Sequence, residues 1–194
     1  KYGITRLYDD SNKMLAALPE LDAVSVCTWN NAHASCTIAA LNAGKHVFCE
    51  KPMAMNAAQA EEMRAAAEKA GKVLGIGFVR RFGDDADLAR SLVESGKMGE
   101  VYYAKANYIR RNGSPGGWFS DKSRSGGGPL IDLGVHVIDL VRYIAGNPKP
   151  VSVYGAAFSK IDRRDIKDGR AYVVTGSDVK KDIFDVEDLA VAMI

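Results

Sequence analysis

Four polar residues recur at helical spacing within a strongly apolar part of the sequence. Asp132, His136, Asp139 and Tyr143 stand at positions i, i+4, i+7 and i+11, among residues that are mostly Leu, Ile and Val. On a helix this spacing forms one stripe, with successive side chains about 6 Å apart. Because unpaired buried charge is costly, such a stripe must face a cavity, a polar network or a ligand. It predicts either an acid/base site or a His–Asp pair that only holds two layers together.

A lysine follows a second short apolar run. Glu50-Lys51-Pro52 comes directly after His46–Cys49. In a parallel α/β sheet, ligands sit at the carboxyl ends of the strands. A lysine held there beside a histidine and an aspartate can exchange protons near neutral pH. The alternative is a surface lysine that only precedes a loop.

A third polar group, Thr28-Trp29-Asn30-Asn31-Ala32-His33, follows the apolar run Asp22–Thr28. Its side chains and the start of the next helix could receive a ribose or a phosphate. The alternative is that Asn30 or Asn31 only caps that helix.

Alternating strand and helix patterns predict how the first half positions these groups. Short apolar runs without alternation are typical of parallel strands buried on both faces. Periodic stretches with caps and glycine stops predict helices between them. The resulting order favours a parallel sheet with right-handed crossovers. The strands are expected at 22–28, 46–49 and 73–77, and the helices at about 10–18, 33–43, 56–71 and 84–96, the last capped by Asp84 or Asp85.

The second half has a different pattern. Residues Val101–Arg111 alternate, which predicts an antiparallel strand with one wet face. A glycine-rich stretch (113–117 and 126–128), an apolar helix at about 129–145 buried nearly all round, and strands at 151–158 and 188–194 follow. The charged stretch 159–168 predicts a solvated loop or edge. The predicted fold class is α/β plus α+β: a partial parallel-sheet domain over residues 1–99 and a partial, mainly antiparallel domain with helices on one face over residues 100–194.

Composition narrows the function classes. The 194 residues are 47% hydrophobic and 26% charged, which excludes disordered and fibrous classes. Lys+Arg 26 against Asp+Glu 24 gives a net charge of +2, which argues against nucleic acid or a membrane as partner. The sequence has no run of 18 apolar residues and therefore predicts no membrane-spanning helix. Cys27, Cys36 and Cys49 lack metal-site or disulfide spacing, which favours free thiols in a reducing cytoplasm and no metal.

The order of motifs resembles one enzyme family. T-W-N-N-A-H at 28–33 is followed by G-K-H-V-F-C-E-K-P at 44–52 and G-F-V-R-R-F at 77–82. W-F-S-D-K, then S-G-G-G-P-L-I-D-L-G-V-H-V-I-D ending at 139, and D-V-E-D at 185–188 complete the series. This succession resembles the Gfo/Idh/MocA family of NAD(P)-dependent oxidoreductases, which includes glucose–fructose oxidoreductase and inositol dehydrogenase. The resemblance covers essentially the whole chain and implies a Rossmann-type first domain.

The resemblance also implies a reaction. NAD or NADP is the expected cofactor, and a sugar, cyclitol or related polyol is the expected substrate. His136 is implied as the general acid/base on the substrate hydroxyl, and Asp132 as the group that orients it or shares its proton. Lys51 is implied to assist proton transfer near the nicotinamide while hydride passes between the substrate carbon and nicotinamide C4.

Further residues match family positions around the cofactor and the substrate. Trp29 stands where the family often has proline. The implied cofactor-binding residues are Thr28, Trp29, Asn30, His33, Glu50, Lys51, Pro52 and Arg80. The implied substrate-binding residues are Lys51, Arg81, Trp118, Lys122, Asp132, His136 and Asp139.

One family motif does not occur in the sequence. The family opens with a strand and G-x-G-x-x-G, which binds the pyrophosphate, and no such motif is present. With no Met at position 1, the sequence is expected to be the central part of a longer, cytoplasmic homo-oligomer (dimer or tetramer), whose open strand edges would make the isolated piece associate. Two alternatives remain open: a non-catalytic fragment or binding module, and a relative that cleaves glycosides through NAD-dependent oxidation.

Overall fold

The computed structural model describes residues 2–110, 115–160 and 183–194. Packing divides the chain into two units, Lys1–Gly77 and Phe78–Ile194. This division lies earlier than the domain boundary predicted after residue 99, which stays a prediction.

The first unit is built on a parallel sheet, as predicted. Its three strands lie in the order β1-β2-β3, so the sheet follows the chain from one edge to the other. Val26 pairs with Cys49, and Glu50 pairs with Gly77. The carboxyl ends of the three strands therefore lie side by side. The elements are β1 (Ala23–Val26), β2 (His46–Glu50), β3 (Leu74–Gly77), α1 (Ser11–Ala17), α2 (Asn30–Asn42) and α3 (Ala57–Ala70).

The core of this unit lies on one face of the sheet. Alternate strand residues, such as Val47 and Cys49, join Leu41 of α2 and Met63 of α3 in a single buried cluster. On the opposite face Phe48 remains 44% exposed. The expectation of strands buried on both faces is wrong for the described residues, because all three helices add their apolar side chains to the same cluster.

Helix caps explain where the helices begin and end. Asp10 accepts hydrogen bonds from the amides of Asn12 and Lys13, and Asn56 accepts one from Gln59. Gly71 ends α3 with a φ of 62°, a left-handed conformation that favours glycine. These positions agree with the helices predicted at about 10–18 and 56–71. The caps predicted at Asn30 or Asn31 and at Asp84 or Asp85 are wrong, because Trp29 and Gly83 hold the extended N-cap positions instead.

The second unit is mostly helical in its described part. Two 3-10 turns and a π-helical turn accompany three helices, and β4 pairs with β5 in antiparallel register. The elements are a 3-10 turn (Val79–Phe82), α4 (Asp84–Glu94), a 3-10 turn (Gly117–Ser120), α5 (Lys122–Ser125), a π turn (Leu130–Gly134), α6 (Val135–Ile144), β4 (Tyr154–Phe158) and β5 (Leu189–Met193).

Two predictions for this unit fail. Residues 101–110 form no strand and are exposed, because an alternating pattern becomes a strand only when a partner pairs with it, and in the described residues β4 pairs only with β5. The helix predicted at 129–145 is present as the π turn and α6, but its predicted burial nearly all round is wrong, since no residue of α6 is fully buried. Its apolar side chains are only half-buried because α6 packs on α4 and the 79–82 turn. Residues 161–168 of the predicted loop lie outside the described ranges.

The described part of the chain has neither a membrane-spanning helix nor a cluster of metal ligands. None of its helices is long and apolar enough to cross a membrane. It also holds no group of three or more His, Cys, Asp or Glu side chains that could bind a metal ion.

Cys27 and Cys49 should differ sharply in reactivity. Burial raises the pKa of the Cys49 thiol to about 11, whereas Cys27 is exposed. Because the thiolate is the reactive form, iodoacetamide at pH 8 should alkylate Cys27 first and Cys49 only after unfolding. Mass spectrometry of peptides from native and urea-treated protein measures this order. Equal labelling of both thiols in the native protein would contradict the buried position of Cys49.

Candidate active site

A buried histidine joins the two strand-end loops of the first unit. His33 lies in the first turns of α2 and is only 1% exposed. Its Nδ1 lies 2.7 Å from the carbonyl oxygen of Pro52, and its Nε2 lies 3.1 Å from the carbonyl oxygen of Thr28. The loop after β1 and the loop after β2 are therefore held to the same ring.

The chemistry of imidazole makes this arrangement demanding. Carbonyl oxygens only accept hydrogen bonds, and a neutral imidazole has one N–H donor. A neutral His33 can donate to Thr28 or to Pro52, whereas the imidazolium donates to both. Either form fixes the separation of the two loops, so His33 acts on the loop main chain.

Lys51 lies at the end of β2, with its neighbours packed around it. Its amide donates to Glu50 Oε2 at 3.2 Å, the following peptide to Pro52 is cis, and Pro52 is buried. Gly77 lies across from Glu50, and a Cβ on it would approach Glu50 Oε2 to 3.3 Å. The glycine thus leaves space for the glutamate beside the lysine.

In the second unit, Asp132 and His136 belong to one continuous helical stretch. Asp132 lies in the π turn and His136 in the first turn of α6. Asp132 Oδ2 lies 3.5 Å from Arg110 Nη1, and the Asp132 side chain is 13% exposed. Arg110 is a partner that sequence reasoning missed, since the contact joins residues 22 positions apart and only the arginine's charge signals it.

Arg81 and Asp139 bind each other. Arg81 donates from Nε to Asp139 Oδ2 at 2.8 Å and from Nη2 to Asp139 Oδ1. The guanidinium also lies over the rings of Phe78 and Tyr143, with its central carbon 5.7 and 5.1 Å from their centroids. The hydrogen bonds that Arg81 donates to Asp139 raise the pKa of Arg81. The pair joins the 79–82 turn to α6, so this part of the polar stripe faces a protein network.

Other predicted residues lie just before the glycine-rich loop, residues 126–128, and in the 79–82 turn. Trp118 stacks on Phe119, with ring centroids 3.9 Å apart. The amide of Lys122 donates to Asp185 Oδ1 at 2.7 Å. Arg80 donates to the hydroxyl of Tyr108 at 3.4 Å.

The predicted residues thus fall into two groups. The structure brings Thr28, Trp29, Asn30, His33, Glu50, Lys51 and Pro52 together at the strand ends of the first unit. Arg80, Arg81, Trp118, Lys122, Asp132, His136 and Asp139 belong to the second unit. That Lys51 meets Asp132 and His136 stays a prediction, as do the individual roles of all these residues.

Comparison with known proteins agrees with both units. Residues 1–78 match the sequence model of the oxidoreductase family with an NAD-binding Rossmann fold. Residues 87–194 match that of the GFO/IDH/MocA C-terminal domain. The chain belongs to the Gfo/Idh/MocA oxidoreductase family. The family predicted from the motif order and the fold class predicted from the strand and helix patterns are both confirmed.

Two curated family members are similar in sequence. D-glucoside 3-dehydrogenase of Escherichia coli (strain K12) is 46% identical over 162 residues, which are 83% of this chain and 46% of that protein. Myo-inositol 2-dehydrogenase of Thermotoga maritima is 35% identical over 146 residues, 75% of this chain and 42% of that protein. The chain therefore spans less than half the length of these relatives.

A solved structure of a family member shares the fold. Levoglucosan dehydrogenase in complex with NADH and levoglucosan superimposes with a TM-score of 0.75 at 28% identity, over 95% of this chain and 47% of that chain. The Gfo/Idh/MocA fold thus accounts for nearly the whole sequence.

Replacing His33 tests its part in holding the loops of this family member. His33→Phe leaves the carbonyls of Thr28 and Pro52 without their ring donor, and we expect a loss of about 2 kcal/mol in the free energy of unfolding. Urea denaturation measures it. Ser35→Ala on the exposed side of α2 is the control and should change the free energy by less than about 0.5 kcal/mol. A His33→Phe protein as stable as the control would show that the ring does not hold the loops.

Arg81→Lys tests the ion pair with Asp139. Lysine cannot make the two-pronged bond or stack on the rings, so we expect a loss of about 1 kcal/mol in the free energy of unfolding. Arg64→Lys, in an exposed ion-pair group with Glu61 and Glu68 on α3, should have almost no effect. Equal effects of the two substitutions in urea denaturation would contradict a special role for Arg81.

Proposed function

We propose that this chain is part of an NAD(P)-dependent dehydrogenase that oxidises a hydroxyl-bearing carbon of a sugar, cyclitol or related polyol. The observation that carries the proposal is the strand-end cluster of the first unit. There His33 holds the loop of Thr28 and the loop of Lys51 and Pro52 beside each other. Ligands of doubly wound sheets bind at such strand ends.

The chemistry of this cluster fits a dinucleotide. The helix α2 begins directly after Trp29, so its positive end lies at the loop. Thr28, Asn30 and Glu50 add groups able to bind hydroxyls or an amide. These residues, with Lys51, are the proposed contacts to the nicotinamide half, and the bound nicotinamide would take up the hydride released by the substrate carbon.

In the proposed reaction, proton transfer is the task of three residues. His136 accepts the hydroxyl proton as general base. Asp132, paired with Arg110 at 3.5 Å, orients the imidazole or shares its proton. Lys51 provides a positive charge beside the oxygen that loses its proton.

The names of the relatives support the substrate class. D-glucoside, myo-inositol and levoglucosan are cyclic polyhydroxy compounds. A cyclic polyol is therefore the proposed substrate, and Arg81, Trp118, Lys122 and Asp139 are proposed to lie on its side of the site. A homodimer or homotetramer in the cytoplasm is proposed as the working form. The exposed apolar side chains of β4 and β5, such as Tyr154 at 83% and Met193 at 77%, support association.

Lys51→Ala in the whole protein tests the catalytic assignment. Turnover of a cyclic polyol, followed by NADH absorbance, should fall at least about 100-fold, because a positioned proton-transfer group contributes that much. NADH affinity, measured by fluorescence titration, should stay within a few-fold.

Lys69→Ala serves as control, since Lys69 is exposed on α3, and it should leave turnover unchanged. Undiminished turnover after Lys51→Ala would refute the role of Lys51. NADH binding without turnover of any polyol by the unsubstituted protein would instead favour a binding module.

A further inference from the structure

The acidic segment 185–188 is bonded to the glycine-rich loop. Val186 is buried. On either side of it, the carboxylates of Asp185 and Glu187 accept hydrogen bonds from main-chain amides. The amide of Asp185 donates to the Ser120 carbonyl at 3.1 Å, and Asp185 Oδ1 accepts from the Lys122 amide. The segment thus lies against the loop that leads into the helical stretch of Asp132 and His136.

Glu187 occupies the start of that helical stretch. Its Oε2 accepts from the Gly128 amide at 2.8 Å, and its Oε1 accepts from the Leu130 amide at 3.2 Å. Pro129, between them, has no N–H. The first amides of a helix lack partners within the helix, and its positive end favours a negative charge. Glu187 meets both needs for the amides that flank Pro129.

The glycines of the loop are what allow this approach. A Cβ on Gly128 would lie 1.9 Å from the main-chain oxygen of Glu187, and one on Gly127 would lie 3.5 Å from its Oε2. A side chain at position 128 would push the 185–188 segment away. In other proteins, glycine loops before helices cradle a bound phosphate. Here the Glu187 carboxylate of the same chain, instead of a phosphate, accepts the hydrogen bonds of the loop amides.

We propose that Glu187 is a positioning residue for Asp132 and His136. Its two hydrogen bonds fix where the π turn begins, and Asp132 lies two residues beyond Leu130 in that turn. The amide of Asp132 in turn donates to the Gly128 carbonyl at 3.1 Å. The catalytic consequence rests on the proposed function, whereas the fixing of the helix start does not.

Glu187→Ala in the whole protein tests this role, with Asp10→Ala as matched control. Asp10 also accepts from two main-chain amides at a helix start, that of α1 in the first unit. Both substitutions should lower the melting temperature. Only Glu187→Ala should lower kcat per folded molecule, by about tenfold or more, because a misplaced reacting group can cost up to 100-fold. KM for the polyol and affinity for NADH should change less than about threefold, and Glu187→Gln, which keeps one acceptor oxygen, should recover part of kcat.

Hydrogen exchange of the amides from Leu130 to His136 gives a second measurement that needs no activity. Glu187→Ala should speed it about tenfold or more relative to Asp10→Ala, since the helix start loses its partner. If the unsubstituted protein turned over no polyol, the proposed function would fail while this measurement still decided the role of Glu187. Unchanged exchange, or unchanged kcat in an active enzyme, would overturn the proposal.

Discussion

A main-chain carbonyl or amide that leaves regular structure inside a protein must still find a hydrogen-bond partner. Both parts of the candidate site depend on this requirement. In the first unit His33 faces the carbonyls of Thr28 and Pro52, and in the second Glu187 accepts from the amides of Gly128 and Leu130. Lys51 therefore lies in a loop, Asp132 and His136 lie near the start of a helical stretch, and in both places other side chains fix the backbone. This is how a loop obtains the rigidity that a reactive group needs.

The strands of the first unit, the helices between them and the family could be predicted because they depend on local sequence patterns. Short apolar runs, the cap at Asn56 and the motif order carry that information within a few residues. The bond of Arg81 to Asp139 and that of Gly128 to Glu187 could not, since they join residues 58 and 59 positions apart. One sign of the second was present: G-G-G-P precedes an apolar helix without a Ser, Thr, Asp or Asn at its start. A helix without a local cap leaves its first amides to a distant side chain or to water.

The polar stripe on the helix illustrates the same limit. Its spacing predicted that the four polar side chains share one face of the helix. The cost of burying charge required partners for the charged ones, but the sequence did not show which residues these partners are. The structure pairs Asp139 with Arg81 and Asp132 with Arg110. Two carboxylates of the stripe thus have guanidinium partners from different parts of the chain. Each carboxylate can lie in the partly buried packing of the helix because an arginine compensates its charge.

The contact between Glu187 and the glycine loop also has a consequence for biosynthesis. The contact joins residues 59 positions apart. Because the entropic cost of closing this loop comes before any gain from the contact, we expect the contact to form late in folding. At ribosomal rates of about 5–20 residues per second, roughly 3–12 seconds separate the synthesis of its two ends. During that interval the start of the helix has no carboxylate to cap it. The amides of Gly128 and Leu130 must then be satisfied by water, and the helix reaches its final start only when the later segment arrives.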